Sequence, residues 1–177
     1  MNLALALDDL LGHPDLARVV EDARTHTEAA GYGWLLDQAG AATQHTQRIL
    51  AAIAAEGGGD LLPVTFTQHP DWVRLGLLDS LATWITGQSS TCLHGPDPMR
   101  PQPVVAAAWK PGLIVCTACV RLLSLRKGSP KDRTCDGCGT VVPDTGDIWA
   151  NATSYGEFVY RFGVCDGCRY WPVPAAA

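Results

Sequence analysis

The first 91 residues of this chain contain no cysteine, and all 177 residues include only three lysines, three phenylalanines and two methionines. No apolar run approaches the roughly 20 residues that a membrane-spanning helix requires. The opening Met1-Asn-Leu-Ala-Leu-Ala-Leu-Asp8-Asp9 lacks the basic residues of a signal peptide, and two aspartates interrupt its apolar run. The expectation is a cytoplasmic protein with no membrane role. Gly-x-Ser-x-Gly, a phosphate-binding glycine loop and His-Glu-x-x-His are also missing, which removes the commonest motif-bearing enzyme classes. A zinc deaminase needs His-x-Glu ahead of Pro-Cys-x-x-Cys. Here Gly95-Pro96 follows His94, and Glu157 is the only glutamate after Glu56. A His-metal nuclease finger needs histidines after its first ligand, and none follows His94.

With 47% hydrophobic and 18% charged residues, the chain has the balance of a globular protein rather than a disordered one. Its length suits one domain or two small ones. The formal charge of −5 is unevenly distributed: residues 1–91 carry −7 and residues 92–177 carry +2. An acidic first half is a poor surface for nucleic acid. Abundant Ala and Gly, with ten Arg against three Lys, give the composition a high-GC bacterial or phage character.

All seven cysteines lie between Cys92 and Cys168, in the pairs Cys92-Leu-His94, Cys116-Thr-Ala-Cys119, Cys135-Asp-Gly-Cys138 and Cys165-Asp-Gly-Cys168. An odd number cannot all form disulfides, and in a reducing compartment close cysteine pairs are metal ligands more often than bridges. With His94 there are eight ligands, which fill two four-coordinate Zn2+ sites and leave none over. Filled sites have no open position for water or substrate, so the metal is expected to be structural. Spacing permits sequential, nested or cross-braced combination of the pairs. An iron–sulfur cluster is the competing cofactor for the all-cysteine set. His69 is the reserve ligand should His94 not serve.

In residues 1–91 the periodicities are helical. Leu3, Leu7, Leu10 and Leu11 form one stripe, ended by Gly12. His13-Pro14-Asp15 starts a second helix whose expected buried face is Leu16, Val19, Val20 and Ala23. A third runs from Trp34 to about Ala55 with Gly40 as a possible break, and Gly57-Gly58-Gly59-Asp60 follows as a connection. His69-Pro70-Asp71 repeats the helix start ahead of a segment to Ile85 that is apolar on most sides and so expected to be buried. Trp34, Trp72 and Trp84 read as core residues.

Beyond residue 91 the pattern becomes strand-like. Apolar runs at 103–109 and Leu113–Cys116 flank Lys110-Pro111-Gly112, the signature of a type II turn in a β-hairpin. Cys119 opens an expected short helix to Leu125. A ligand knuckle, a hairpin and a cysteine pair at a helix start resemble the treble-clef zinc fold, with Cys92-x-His94 in place of its usual Cys-x-x-Cys. The twice-used Cys-Asp-Gly-Cys frames three strand-like segments: Thr140–Val142, Ile148–Ala150 and Glu157–Val164. The last places Phe158, Tyr160, Phe162 and Val164 on one face. This region resembles a zinc ribbon. Asp-Gly within each knuckle suits a tight turn directing backbone N–H groups toward sulfur, and the Asn151-Ala-Thr153 sequon is expected in a turn.

The expected class is therefore α+β, a helical bundle in residues 1–91 followed by a small β-rich double zinc-binding domain in 92–177. The absence of catalytic motifs favours a non-enzymatic protein-binding adaptor or regulator, with no small-molecule substrate evident. The alternative is a nucleic-acid-binding regulator using the strip Arg121, Arg126, Lys127, Lys131 and Arg133, although no aromatic residues interleave with those charges.

Overall fold

The computed structural model describes residues 2–57, 64–144 and 146–169. The protein is mixed α+β, with helices packed on a five-stranded sheet. The chain forms α1 (Leu3–Leu11), α2 (Leu16–Ala29), α3 (Gly33–Gly57), α4 (Asp71–Ile85), β1 (Ser90–Thr91), β2 (Val104–Ala107), β3 (Leu113–Cys116), β4 (Trp149–Tyr155), β5 (Phe158–Val164) and α5 (Asp166–Arg169). Short 3-10 helices occupy Phe66–Gln68, Thr117–Leu123 and Lys131–Arg133. Among the described residues no helix is long and apolar enough to cross a membrane.

The helix starts follow local chemistry. The Asn2 side chain accepts the Ala4 N–H at 3.0 Å, and the Gly12 N–H closes α1 on Asp8 O. In the first His-Pro-Asp, His13 Nδ1 accepts the Asp15 N–H at 3.1 Å and α2 begins one residue later. In the second, Pro70 is the cap and Asp71 the first helical residue. Gly40 does not break α3, which runs 25 residues without interruption. Of the expected glycine connection, residues 58–60 lie outside the described residues.

The sheet order is β1-β3-β2-β5-β4. The hairpin read around Pro111-Gly112 is present as antiparallel β2–β3, with Gly112 at φ +76° and Leu113 N donating to Lys110 O. β5 pairs in parallel with β2 and antiparallel with β4, so it is the interior strand of the longer ladder. Burial on both faces follows: Phe158, Tyr160, Phe162 and Val164 enter one apolar cluster and Val159 enters another.

The first cluster joins both ends of the chain. Ala4 of α1 and Val73, Leu77, Leu78 and Trp84 of α4 pack against Val104, Ile114, Phe158 and Phe162 of the sheet. Residues on either side of position 91 thus share one core. Trp72 meets Phe162 edge-on with ring centroids 5.3 Å apart, and a Cβ on Gly76 would overlap the Tyr160 hydroxyl, so glycine lets α4 lie against β5. Arg74 of α4 donates to both Asp8 oxygens of α1 at 2.9 and 3.0 Å.

Several expectations fail, each for a packing reason. α2 buries no residue: Val19 is 39% exposed and Val20 55%, because the main packing partner of α2 is α3 rather than the sheet. Trp34, at the start of α3 beyond the sheet, is 53% exposed, whereas Trp84 is buried and Trp72 partly so. The helix expected from Cys119 begins at Thr117 and is 3-10 rather than α. Thr140–Val142 contributes only one isolated bridge, Thr134 to Val141. Asn151–Thr153 is not a turn but the middle of β4.

Candidate metal centres

The four close pairs combine sequentially. Cys92, His94, Cys116 and Cys119 form one group and Cys135, Cys138, Cys165 and Cys168 the other, with the ligand atoms of each group all within 4.8 Å of one another. His69 is not drawn into either; its Nε2 lies 2.7 Å from the Thr153 hydroxyl, and burial pushes its pKa down.

The first group is assembled by the sheet edge. Parallel pairing of Thr91 with Ile114 sets Cys92 beside Cys116, whose N–H donates to Cys92 Sγ at 3.5 Å. A turn closed by Gly95 N to Cys92 O presents His94, and the 3-10 helix after β3 presents Cys119. That helix is held by the hairpin: Trp109 Nε1 donates to Leu123 O at 2.7 Å, and Lys110 Nζ donates to Leu122 O at 2.7 Å and Ser124 O at 3.2 Å. Trp84 Nε1 of α4 donates to Pro96 O at 3.1 Å, anchoring the knuckle from the other side. Cys92 Sγ and Cys116 Sγ are 3.8 Å apart, and His94 Nδ1 is 3.4 Å from Cys116 Sγ and 3.2 Å from Cys119 Sγ.

The second group is fixed by the aspartates of its repeated tetrapeptide. Asp136 N donates to Gly163 O at 2.8 Å and Gly163 N donates back to Asp136 Oδ2 at 2.7 Å, clamping the first knuckle to β5 two residues before Cys165. Asp166 Oδ1 accepts from Trp149 Nε1 at 2.7 Å, clamping the second knuckle to β4, and Arg169 covers the same indole at 3.6 Å. The repeated Asp-Gly does more than suit turn geometry. These aspartates are tethers, and their repetition was the visible signal. Gly137 serves a different need, since a Cβ there would come 3.1 Å from the Trp72 ring. Cys138 Sγ and Cys165 Sγ are 3.8 Å apart.

No protein-family model, curated protein or solved structure matches this chain. The chemistry of the two groups is therefore argued from their geometry. Sulfurs 3.8 Å apart are not bonded, and the cysteines are free thiols. Four sulfurs each 2.3 Å from one tetrahedral ion stand about 3.8 Å apart, and a histidine nitrogen stands about 3.5 Å from each sulfur. The observed spacings fit one ion per group, so the residues suit two metal sites.

Electrostatics agree. Burial tends to raise the Cys92 pKa, but backbone N–H groups of Cys116 and His94 outweigh it and bring the thiol to about 7. The Thr140 hydroxyl and backbone N–H bring Cys138 to about 6. Burial and the neighbouring thiols push Cys119 up to about 11 and Cys168 to about 12. Each group thus contains a thiol that ionises readily and one held back by its neighbours' charge. A divalent cation at the centre removes that repulsion and lets every sulfur ionise.

Of the basic strip, Arg121, Arg126, Lys127 and Lys131 are exposed. Arg133 is half-buried and forms an ion pair with Asp144.

Proposed function

We propose that both groups hold Zn2+ as structural ions and that the protein is a non-enzymatic, cytosolic adaptor or regulator acting through a protein partner. The carrying observation is closure: each group contributes four protein ligands within 4.8 Å, leaving no coordination position for water or substrate. Thiolates this close also argue against iron–sulfur clusters, whose cysteines are distributed over separate irons. The first group, with its hairpin and following 3-10 helix, is treble-clef-like; the second, with knuckles at one end of the β4–β5 hairpin, is ribbon-like. The metals then serve to shape the surface that binds.

Affinity capture with the metal-loaded protein tests this reading. The expected result is a stoichiometric protein partner that a Cys135→Ser or Cys92→Ser variant no longer retains. Turnover of a small-molecule substrate dependent on either metal, or metal-loaded protein that retains no partner, would oppose it.

A second reading is favoured by one observation: among the described residues no carboxylate pairs within 4 Å with Arg121, Arg126, Lys127 or Lys131. Four exposed cations in one segment suit phosphate contacts. Binding of DNA or RNA at low ionic strength, lost on charge reversal of Arg126 and Lys127, would establish this alternative; no binding at low salt would remove it.

A further inference from the structure

The sheet face opposite α4 is incompletely covered. Beside it lies an apolar groove of about 390 Å3, roofed by Ile49, Leu50 and Ile53 of α3 and floored by Ala150, Ala152 and Val159. A volume of this order accepts several side chains or one small ligand. Ala150 and Ala152 are exposed, and Asn151 between them also lines the groove, so the cleft extends to the outer edge of β4.

That edge is unusual. β4 is the terminal strand of the sheet, and no described strand pairs with its outer side. Its register with β5 runs from Trp149–Val164 to Tyr155–Phe158 without a bulge, and its seven residues Trp-Ala-Asn-Ala-Thr-Ser-Tyr include no charge and no proline. Edge strands are ordinarily protected by charge, proline, a bulge or shortness, because unpaired backbone N–H and C=O groups template another strand. An edge with none of these protections among the described residues, beside an apolar groove under a helix, is the arrangement that strand-addition sites use: main-chain hydrogen bonds supply affinity and the groove selects alternate side chains. The groove also carries one charge. Arg161, directly opposite Ala152 on β5, faces it, stands 5.6 Å over the Trp109 ring, and pairs with no carboxylate among the described residues.

We infer that β4 and this groove receive an extended peptide of a partner protein, added antiparallel or parallel to β4, with apolar residues alternating into the groove and one acidic side chain meeting Arg161. This rests on the adaptor reading and names its docking surface. Charge complementarity calls for an acidic occupant: the chain's residues 170–177, Tyr-Trp-Pro-Val-Pro-Ala-Ala-Ala, hold no acidic side chain for Arg161, and residues 58–63, Gly-Gly-Asp-Leu-Leu-Pro, hold one acid, Asp60, among glycines and a proline that suit a ladder poorly. A second copy adding through its own β4 would likewise bring no carboxylate on that strand.

The test uses the full zinc-loaded chain and the blocked heptapeptide Val-Thr-Glu-Thr-Val-Thr-Val, which places its glutamate among the groove-facing positions. Amide shifts should change at residues 149–155 and along the groove. The glutamine version should bind at least about five-fold more weakly, as expected for loss of a charge-assisted hydrogen bond. Arg161→Gln should abolish the difference between the two peptides. Ala152→Glu, which supplies Arg161 with a cross-strand carboxylate and fills the groove, should weaken binding more than ten-fold while metal content and circular dichroism stay unchanged. Equal affinity for both peptides, shifts elsewhere, or no binding would overturn the proposal. So would a ten-fold gain in affinity on truncation after Arg169, which would make the chain's own tail the occupant, or peptide-free dimerisation with shifts at β4. Absence of peptide binding with zinc-dependent partner capture intact would remove the groove but leave the adaptor reading standing.

Discussion

The two ligand groups close opposite faces of the same sheet, and they do so over very different cores. Cys135, Cys165 and Cys168 join the cluster built from Phe158, Phe162, Tyr160 and Trp84 under α1 and α4. Cys92, Cys116 and Cys119 join a cluster of Val105, Ala107, Val115, Leu123 and Val159, which has no Phe or Tyr and leaves a groove beside it. The first cluster adds four buried aromatic rings, Trp84, Phe158, Tyr160 and Phe162, to its aliphatic residues. On the second face, a metal held by Cys92, His94, Cys116 and Cys119 would replace more of what a core would provide. The first face is covered by α1 and α4, whereas α3 leaves a groove over the second.

The largest effect that could break this comparison is removal of both metals. Structural zinc contributes on the order of 10 kcal/mol, comparable with the whole stability of a domain. A strong chelator should abolish the near-ultraviolet signal and expose residues 92–144 to protease, while part of the helical far-ultraviolet signal survives. Unchanged spectra and cleavage would separate the fold from the metal entirely.

Single ligands come next. Cys135→Ser should lower metal stoichiometry from two to one and weaken that site by more than about 100-fold, beyond what outer-shell substitutions reach. His94→Cys should keep both metals, since it preserves four ligands, whereas His94→Ala should lose one. Equal metal retention by His94→Ala would remove His94 from the first group. For the faces themselves, Phe162→Ala should cost about 3–5 kcal/mol by chemical denaturation. Val159→Ala on the open face should cost about 1–2 kcal/mol. Reversal of that order would contradict the division of apolar mass between them.

The smallest effect concerns the clamp between α1 and α4. The Arg74 hydrogen bond and charge hold the Asp8 carboxyl below its ordinary pKa. A depressed folded-state pKa contributes stability that is complete above the unfolded value near 3.8 and is lost as pH falls through the folded value. Asp8→Asn should therefore lower stability by about 1 kcal/mol at neutral pH, a penalty that shrinks only as pH falls through the depressed folded-state value. A penalty that persists in acid would assign the effect to packing instead.

The candidate ligands were legible because seven cysteines in close pairs cannot all form disulfides and, with one histidine, match two four-coordinate sites. The β2–β3 hairpin was legible because Pro111-Gly112 encodes its own turn. Sequential pairing was not, since spacing alone allows three combinations; the contacts that decide it are the Thr91–Ile114 pairing and the Asp136–Gly163 clamp. The stripe of Leu16, Val19, Val20 and Ala23 marks an apolar face on α2 but does not show that its main partner is α3 rather than the sheet. Asn151-Ala-Thr153 resembles a turn because Asn and Ala have weak strand preference, although Thr favours strands. Its pairing with β5 overrides that preference, since β5 is buried on both sides and fixes its neighbour.

The most direct test of the central claim is metal analysis of the protein purified without added metal, combined with X-ray absorption at the zinc edge. The account predicts two zinc ions per chain, an average first shell of seven sulfurs and one nitrogen shared between two sites, and Zn–S distances near about 2.3 Å. Iron in place of zinc, fewer than two ions in folded protein, or a shell containing water oxygen would contradict it.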